Sequence, residues 1–151
     1  VPGVGPYQDR EGLRETDKRV RTYLGELLGG LARDLEPAQR LLSEAGRLDR
    51  LPGVDRVVRL LNTVADRVRY ASYGFAGVFD LHKIRERELT SLHEFDVRLM
   101  EAVPHLQDRV RALTAASERM EWFDQAARAA ESALRDFERT LDERDRIARG
   151  L

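Results

Sequence analysis

Residues 104–149, PHLQDRVRALTAASERMEWFDQAARAAESALRDFERTLDERDRIAR, carry the longest regular pattern in the chain. Leu106, Leu113, Met120, Ala127, Leu134, Leu141 and Ala148 recur every seven residues without a slip. No Gly or further Pro interrupts them, so the spacing predicts one helix of about 45 residues, roughly 65–70 Å long at 1.5 Å per residue. Between Ala112 and Leu134 a second strip, Ala112, Ala115, Ala116, Trp122, Ala126, Ala129 and Ala133, widens the apolar face. The companion row, Val110, Ser117, Asp124, Glu131, Glu138 and Asp145, is mostly polar. A regular two-stranded coiled coil needs both rows apolar, so packing within a bundle fits better. The last turns, Glu138 to Arg149, are nearly all charged apart from Leu141, Ile147 and Ala148, and that end either projects or pairs narrowly.

Upstream the pattern stays helical. Pro104 disfavours α geometry at Val103, so the chain either kinks or breaks there. Before it, Leu81, Ile84, Leu89, Leu92, Phe95, Leu99 and Val103 mark a helix that Asp80 can cap. The cleanest stripe is Val54, Val57, Val58, Leu61, Val64, Ala65 and Val68, whose three-and-four spacing overrides the β preference of valine. Pro37 suits a first helical turn, with Leu41, Leu42, Ala45 and Leu48 following, and Leu51-Pro52-Gly53 reads as a turn. From about Gln8, the residues Leu13, Val20, Leu24, Leu27, Leu31 and Leu35 line one face of a first helix. Its outward face is expected to carry the pairs Glu15 with Arg19 and Asp17 with Arg21, and Gly25, Gly29 and Gly30 point to a close approach by another helix. The whole predicts an all-α bundle of four to five helices, with residues 1–7 as a linker or tail and 8–151 as a single domain.

Composition narrows the functional classes. The chain is 42% hydrophobic and 35% charged, with a net charge of −1, so it has material for a core and no excess charge to steer it toward a polyanion. Arg outnumbers Lys by 24 to 2 and Asn62 is the only Asn, a bias that fits GC-rich, bacterial-like coding. Charge is balanced locally: residues 1–52 carry nine basic and nine acidic groups, 53–103 eight and eight, 104–151 nine and ten. Nucleic-acid binding is therefore disfavoured, although Arg56, Arg59, Arg67 and Arg69 with Tyr70 and Tyr73 form its best local candidate. No window approaches the ~18 apolar residues of a membrane span, and the expected location is cytoplasmic. Without Cys there is no disulfide, thiolate metal site or cysteine nucleophile.

No motif specifies a reaction. The serines lack a Gly-x-Ser-x-Gly elbow, and Gly25 to Gly30 precedes no Lys-Ser or Lys-Thr. Di-metal bundles use Glu-x-x-His, which is absent, while His82, Glu86, His93 and Asp96 fall near one stripe and make a mononuclear metal or small-molecule site the alternative reading. An ordinary polar helix edge gives the same pattern. Asp96 sits between Phe95 and Leu99, where a buried carboxylate needs a partner, with Arg69, Arg85 and Arg98 as candidates. Trp122 off the sevenfold row, Tyr73, Phe75 and Phe79 on an aromatic connection, and Leu141 in the charged end are the expected partner-facing residues. The sequence thus favours a non-enzymatic interaction or scaffold module, without cofactor, that presents helical surface to a protein partner or to itself.

Overall fold

A computed structural model of the chain describes residues 10–71, 86–119 and 121–150, the side chains at 10, 11, 13, 14 and 86–89 excepted. The expectations for the tail, for Tyr73, Phe75, Phe79, Asp80 and His82, and for Met120 in the core lie outside the described residues. Four long helices and one short one make up the fold: α1 (Arg10–Asp34), α2 (Glu36–Glu44), α3 (Leu51–Tyr70), α4 (Glu86–Arg119) and α5 (Phe123–Ala148), with no strand among the described residues.

Helix α1 packs against α3 and α4, and α5 packs against the same two, so the long helices form a square with α1 diagonal to α5. Their directions follow from side-chain contacts. Gly25 of α1 lies against Ala65 and Arg69 of α3, while Arg21, one turn earlier in α1, reaches the carbonyl of Ala71 just past the end of α3, which makes that pair antiparallel. Arg56 reaches Glu131, and Arg67 reaches Asp142 and Asp145, so α3 and α5 run parallel. One end of the square gathers the start of α1, the end of α3, the start of α4 and the end of α5; the other holds α2 and the α4–α5 turn.

Most of the stripes read from sequence line the interior, but on α1 Leu28 is buried where Leu27 was expected, and Leu27 and Val58 are half-buried. Leu24, Leu28, Leu31, Leu35, Val54, Val57, Leu61, Val64 and Val68 are buried, joined by Leu99, Val103, Leu106 and Leu113 from α4 and Leu134, Phe137 and Leu141 from α5. Each such side chain contributes about 1.5–3 kcal/mol by leaving water, and this is what holds helices of otherwise modest propensity together. The close approach expected of the glycines is real at Gly25, where a Cβ would meet the Ala65 carbonyl oxygen at 3.3 Å. Gly29 and Gly30 face only the flexible ends of arginine side chains.

One alternative the sequence left open is decided, and two expectations are corrected. The chain does not break at Pro104: α4 runs through it to Arg119. Pro104 is exposed, so the hydrogen bond it cannot donate is lost on the side of the helix that faces water. Nor is there a helix of about 45 residues, because the chain turns back after Arg119 and restarts at Phe123. A straight rod of that length would outrun its 20- and 25-residue neighbours, and folding it back lets both apolar stripes share one core. The turn expected at Leu51-Pro52-Gly53 is already α3, which begins at Leu51.

The fold-back is made without Gly or Pro. Trp122 takes the left-handed conformation, φ 56° and ψ 22°, a cost of roughly 1–2 kcal/mol for a residue with a Cβ. What offsets it is the next residue. The Phe123 ring is 2% exposed and lies where a Cβ on Gly53 would approach it to 3.2 Å, and the Arg50 guanidinium stands over it at 5.3 Å.

Candidate functional site

Two places in the bundle carry chemistry that a plain helical core does not need. The first is a buried charge cluster near the end that holds the start of α4. On α1, Leu24, Leu28 and Leu31 continue backwards through Arg21 and Asp17, so the apolar stripe ends in an ion pair. Asp17 was expected on the outward face; it does pair with Arg21, at 2.6 Å, but it is wholly buried. Position decides this: Asp17 and Arg21 stand seven and three residues before Leu24, on the inner face. The Glu15–Arg19 pair is indeed exposed, at 3.8 Å.

Arg144 of α5 reaches across the bundle and closes the cluster. It is wholly buried, its Nε donates to Asp96 Oδ1 at 2.7 Å, and its Nη2 donates to Asp17 Oδ2 at 3.3 Å. Arg21 also donates from Nη1 to the carbonyl of Ala71, where α3 ends. Two carboxylates and two guanidiniums thus give a group with no net charge, tying all four long helices at one level. The partner of Asp96 is therefore Arg144, not the expected Arg69, Arg85 or Arg98. Arg98 instead stacks over Phe95 at 4.0 Å, Arg69 pairs with Asp66 at 3.8 Å, and Arg85 lies outside the described residues. Sequence reasoning missed Asp17 and Arg144 as buried charges, although the signal was there: Arg144 falls between Leu141 and Ala148 on the inner stripe of α5.

Of the residues considered for a metal, His82 is not described, and Glu86 is described only as the first residue of α4. His93 stands one turn before Asp96, with a buried Nδ1 that has no hydrogen-bond partner, and Asp96 is engaged by Arg144. Among the described residues no group of three or more His, Asp or Glu side chains is placed to hold a metal ion. The arginines weighed for nucleic acid are dispersed: Arg56 and Arg67 turn toward α5 and pair with Glu131, Asp142 and Asp145. Burial opposes the charge on Arg67, but hydrogen bonds from it to Asp145 and Asp142 prevail and hold its pKa above the ordinary value.

The second place is the α4–α5 turn. Trp122 is 76% exposed there, standing at one end of a groove of about 440 Å³ between the two helices. Ala112, Ala115 and Ala116 of α4 and Ala126 and Ala129 of α5 form its floor. The alanine strip read from sequence as widening the buried face is thus divided: Ala116 and Ala133 are buried, while Ala112 and Ala115 face outward. Of the other expected partner-facing residues, Leu141 is 1% exposed and belongs to the chain's own core, so it offers no surface.

The site and fold together define a four-helix bundle with an apolar groove at one end and a neutral ion cluster at the other. No protein-family model, no curated protein and no solved structure matches the chain. No helix among the described residues is long and apolar enough to cross a membrane.

Proposed function

We propose that this chain is a protein-interaction module whose docking surface is the groove beside Trp122. The observation that carries the reading is the tryptophan itself. Its neighbour Phe123 is buried, the backbone at position 122 is held in a costly conformation, and the indole is nonetheless left in water over an alanine floor. Tyr70 and Leu48 are as exposed or nearly so, but neither lines this groove. Large aromatics beside a shallow apolar groove are characteristic of binding hot spots, and an alanine floor admits a partner helix or a bulky side chain at close range. The buried ion cluster supports a structural role for the opposite end, since both carboxylates are committed to arginine and shielded from water.

The test is site-specific photo-crosslinking. A photoreactive residue at Gln125, on the groove edge, is expected to give a discrete protein adduct in cells that disappears with Trp122→Ala. The same residue at exposed Glu143 is expected to give none. Equal labelling at both positions, or adducts indifferent to Trp122→Ala, would remove the groove as the docking surface.

A further inference from the structure

The groove is asymmetric along its length, and the asymmetry is self-complementary. At the turn stand Trp122 and Glu121; ten residues back from Arg119 along α4, about 15 Å away, stand Arg109, Ala112 and, across on α5, Ala129. Glu121 and Arg109 are both exposed, and neither has an ion-pair partner among the described residues. A surface with an aromatic knob and both Glu121 and Arg119 at one end, and an alanine floor and Arg109 at the other, can pair the knob with the floor and Glu121 with Arg109 when it meets its own copy turned end for end.

We infer that the occupant of this groove is a second copy of the chain, related by a two-fold axis across the α4–α5 hairpin. Trp122 of each copy lies on the Ala112 and Ala129 floor of the other, and Glu121 of each pairs with Arg109 of the other. The arrangement is isologous, so every favourable contact occurs twice and the assembly closes at two chains. Arg119 stays beside Glu121 at the turn and keeps the rim mixed in sign, which suits a polar border around an aromatic centre. This inference rests on the docking reading above and specifies its partner.

Charge reversal tests it with sedimentation equilibrium on the full chain. The wild type is expected to dimerise in a concentration-dependent way, and Trp122→Ala to raise the dissociation constant about thirtyfold or more. Arg109→Glu and Glu121→Arg should each weaken the homodimer, because each puts two like-charged pairs across the axis. An equimolar mixture of the two variants should recover a dimer, since Arg109→Glu offers acids at both ends and Glu121→Arg bases at both. Far-UV circular dichroism spectra that match the wild type, with cooperative melts, establish that the surface variants fold. A wild-type chain that stays monomeric to several hundred micromolar overturns the inference, as does a mixture of the reversed variants that associates no better than either alone. If crosslinked adducts at Gln125 persist for a monomeric chain, the docking surface stands and its partner is another protein; if they vanish as well, both readings fall.

Discussion

Replacing Arg144 with Met removes the one side chain that bridges Asp17 and Asp96. Methionine matches the length of the aliphatic part of arginine, so the chief loss is charge and hydrogen bonding. Asp17 retains Arg21 at 2.6 Å, but Asp96, which is wholly buried, loses its only ion-pair partner among the described residues. Breaking a buried pair in this way costs about 3–5 kcal/mol, because the remaining charge can neither be solvated nor neutralised cheaply. For a chain of this size the midpoint should fall by roughly 6–20 °C, taking about 2–4 °C per kcal/mol. Urea unfolding followed by circular dichroism measures the loss directly. The decisive comparison is the double variant Arg144→Met with Asp96→Leu, which removes both partners and leaves the Asp17–Arg21 pair in place. It should recover most of the stability, giving a coupling of at least about 2 kcal/mol between the two positions. A single substitution costing under about 1 kcal/mol, or a double variant as unstable as the sum of the singles, would refute the picture of a desolvated, mutually dependent pair.

Three further outcomes follow from local geometry. Gly29→Ala should raise stability by about 0.5–1 kcal/mol, because its Cβ would meet nothing nearer than 3.7 Å, whereas Gly25→Ala should gain nothing, because the α3 backbone stands 3.3 Å from the new methyl; paired thermal melts distinguish them. Trp122→Gly should stabilise the monomer by about 1 kcal/mol by relieving the left-handed conformation, read in melts at concentrations low enough to keep the wild type monomeric, and a destabilised variant there would mean that the indole packs to hold the turn. The hydrogen bond from Arg47 holds the Asp49 carboxyl below the usual carboxylate range. A depressed folded-state pKa contributes stability above the unfolded value and loses it as pH falls through the folded one. A carboxyl titration by nuclear magnetic resonance should place the Asp49 midpoint below that of an unstructured Asp, and Arg47→Ala should raise it.

What was readable in the sequence was the depth of each residue more than its neighbours. Val54, Val57, Leu61, Val64, Ala65 and Val68 of the α3 stripe and Leu24, Leu31 and Leu35 of α1 went inward as their spacing requires, while Val58 and Leu27 are half-buried. Asp96 was recognisable as a charge at an apolar position. Its partner was not, because periodicity assigns a face and says nothing of which distant residue meets it. Asp17 was misplaced for a related reason: an i,i+4 pair with Arg21 looks the same on the outside of a helix as on the inside. The turn at Trp122 left no breaker residue to read. Its local sign was two adjacent large aromatics, Trp122 and Phe123, which on a continuous helix would project about 100° apart and could not both share one face.

The sevenfold row misled because it is symmetric about the fold-back. Reflecting residues about Met120 sets Leu113 level with Ala127, Leu106 with Leu134 and Leu99 with Leu141, so the same row serves one straight helix or two antiparallel ones. Hydrophobic spacing alone could not separate the two. The charges could have. Asp96 and Arg144 are also equidistant from Met120, and both fall on inner stripes. On a continuous helix their 48-residue separation would span roughly 72 Å, leaving two opposite charges at apolar positions with no means of meeting. With α5 folded back along α4 they meet at 2.7 Å. A hairpin is thus the arrangement in which the misplaced charges answer each other, and electrostatic pairing across the chain carries the topological information that the regular apolar repeat conceals.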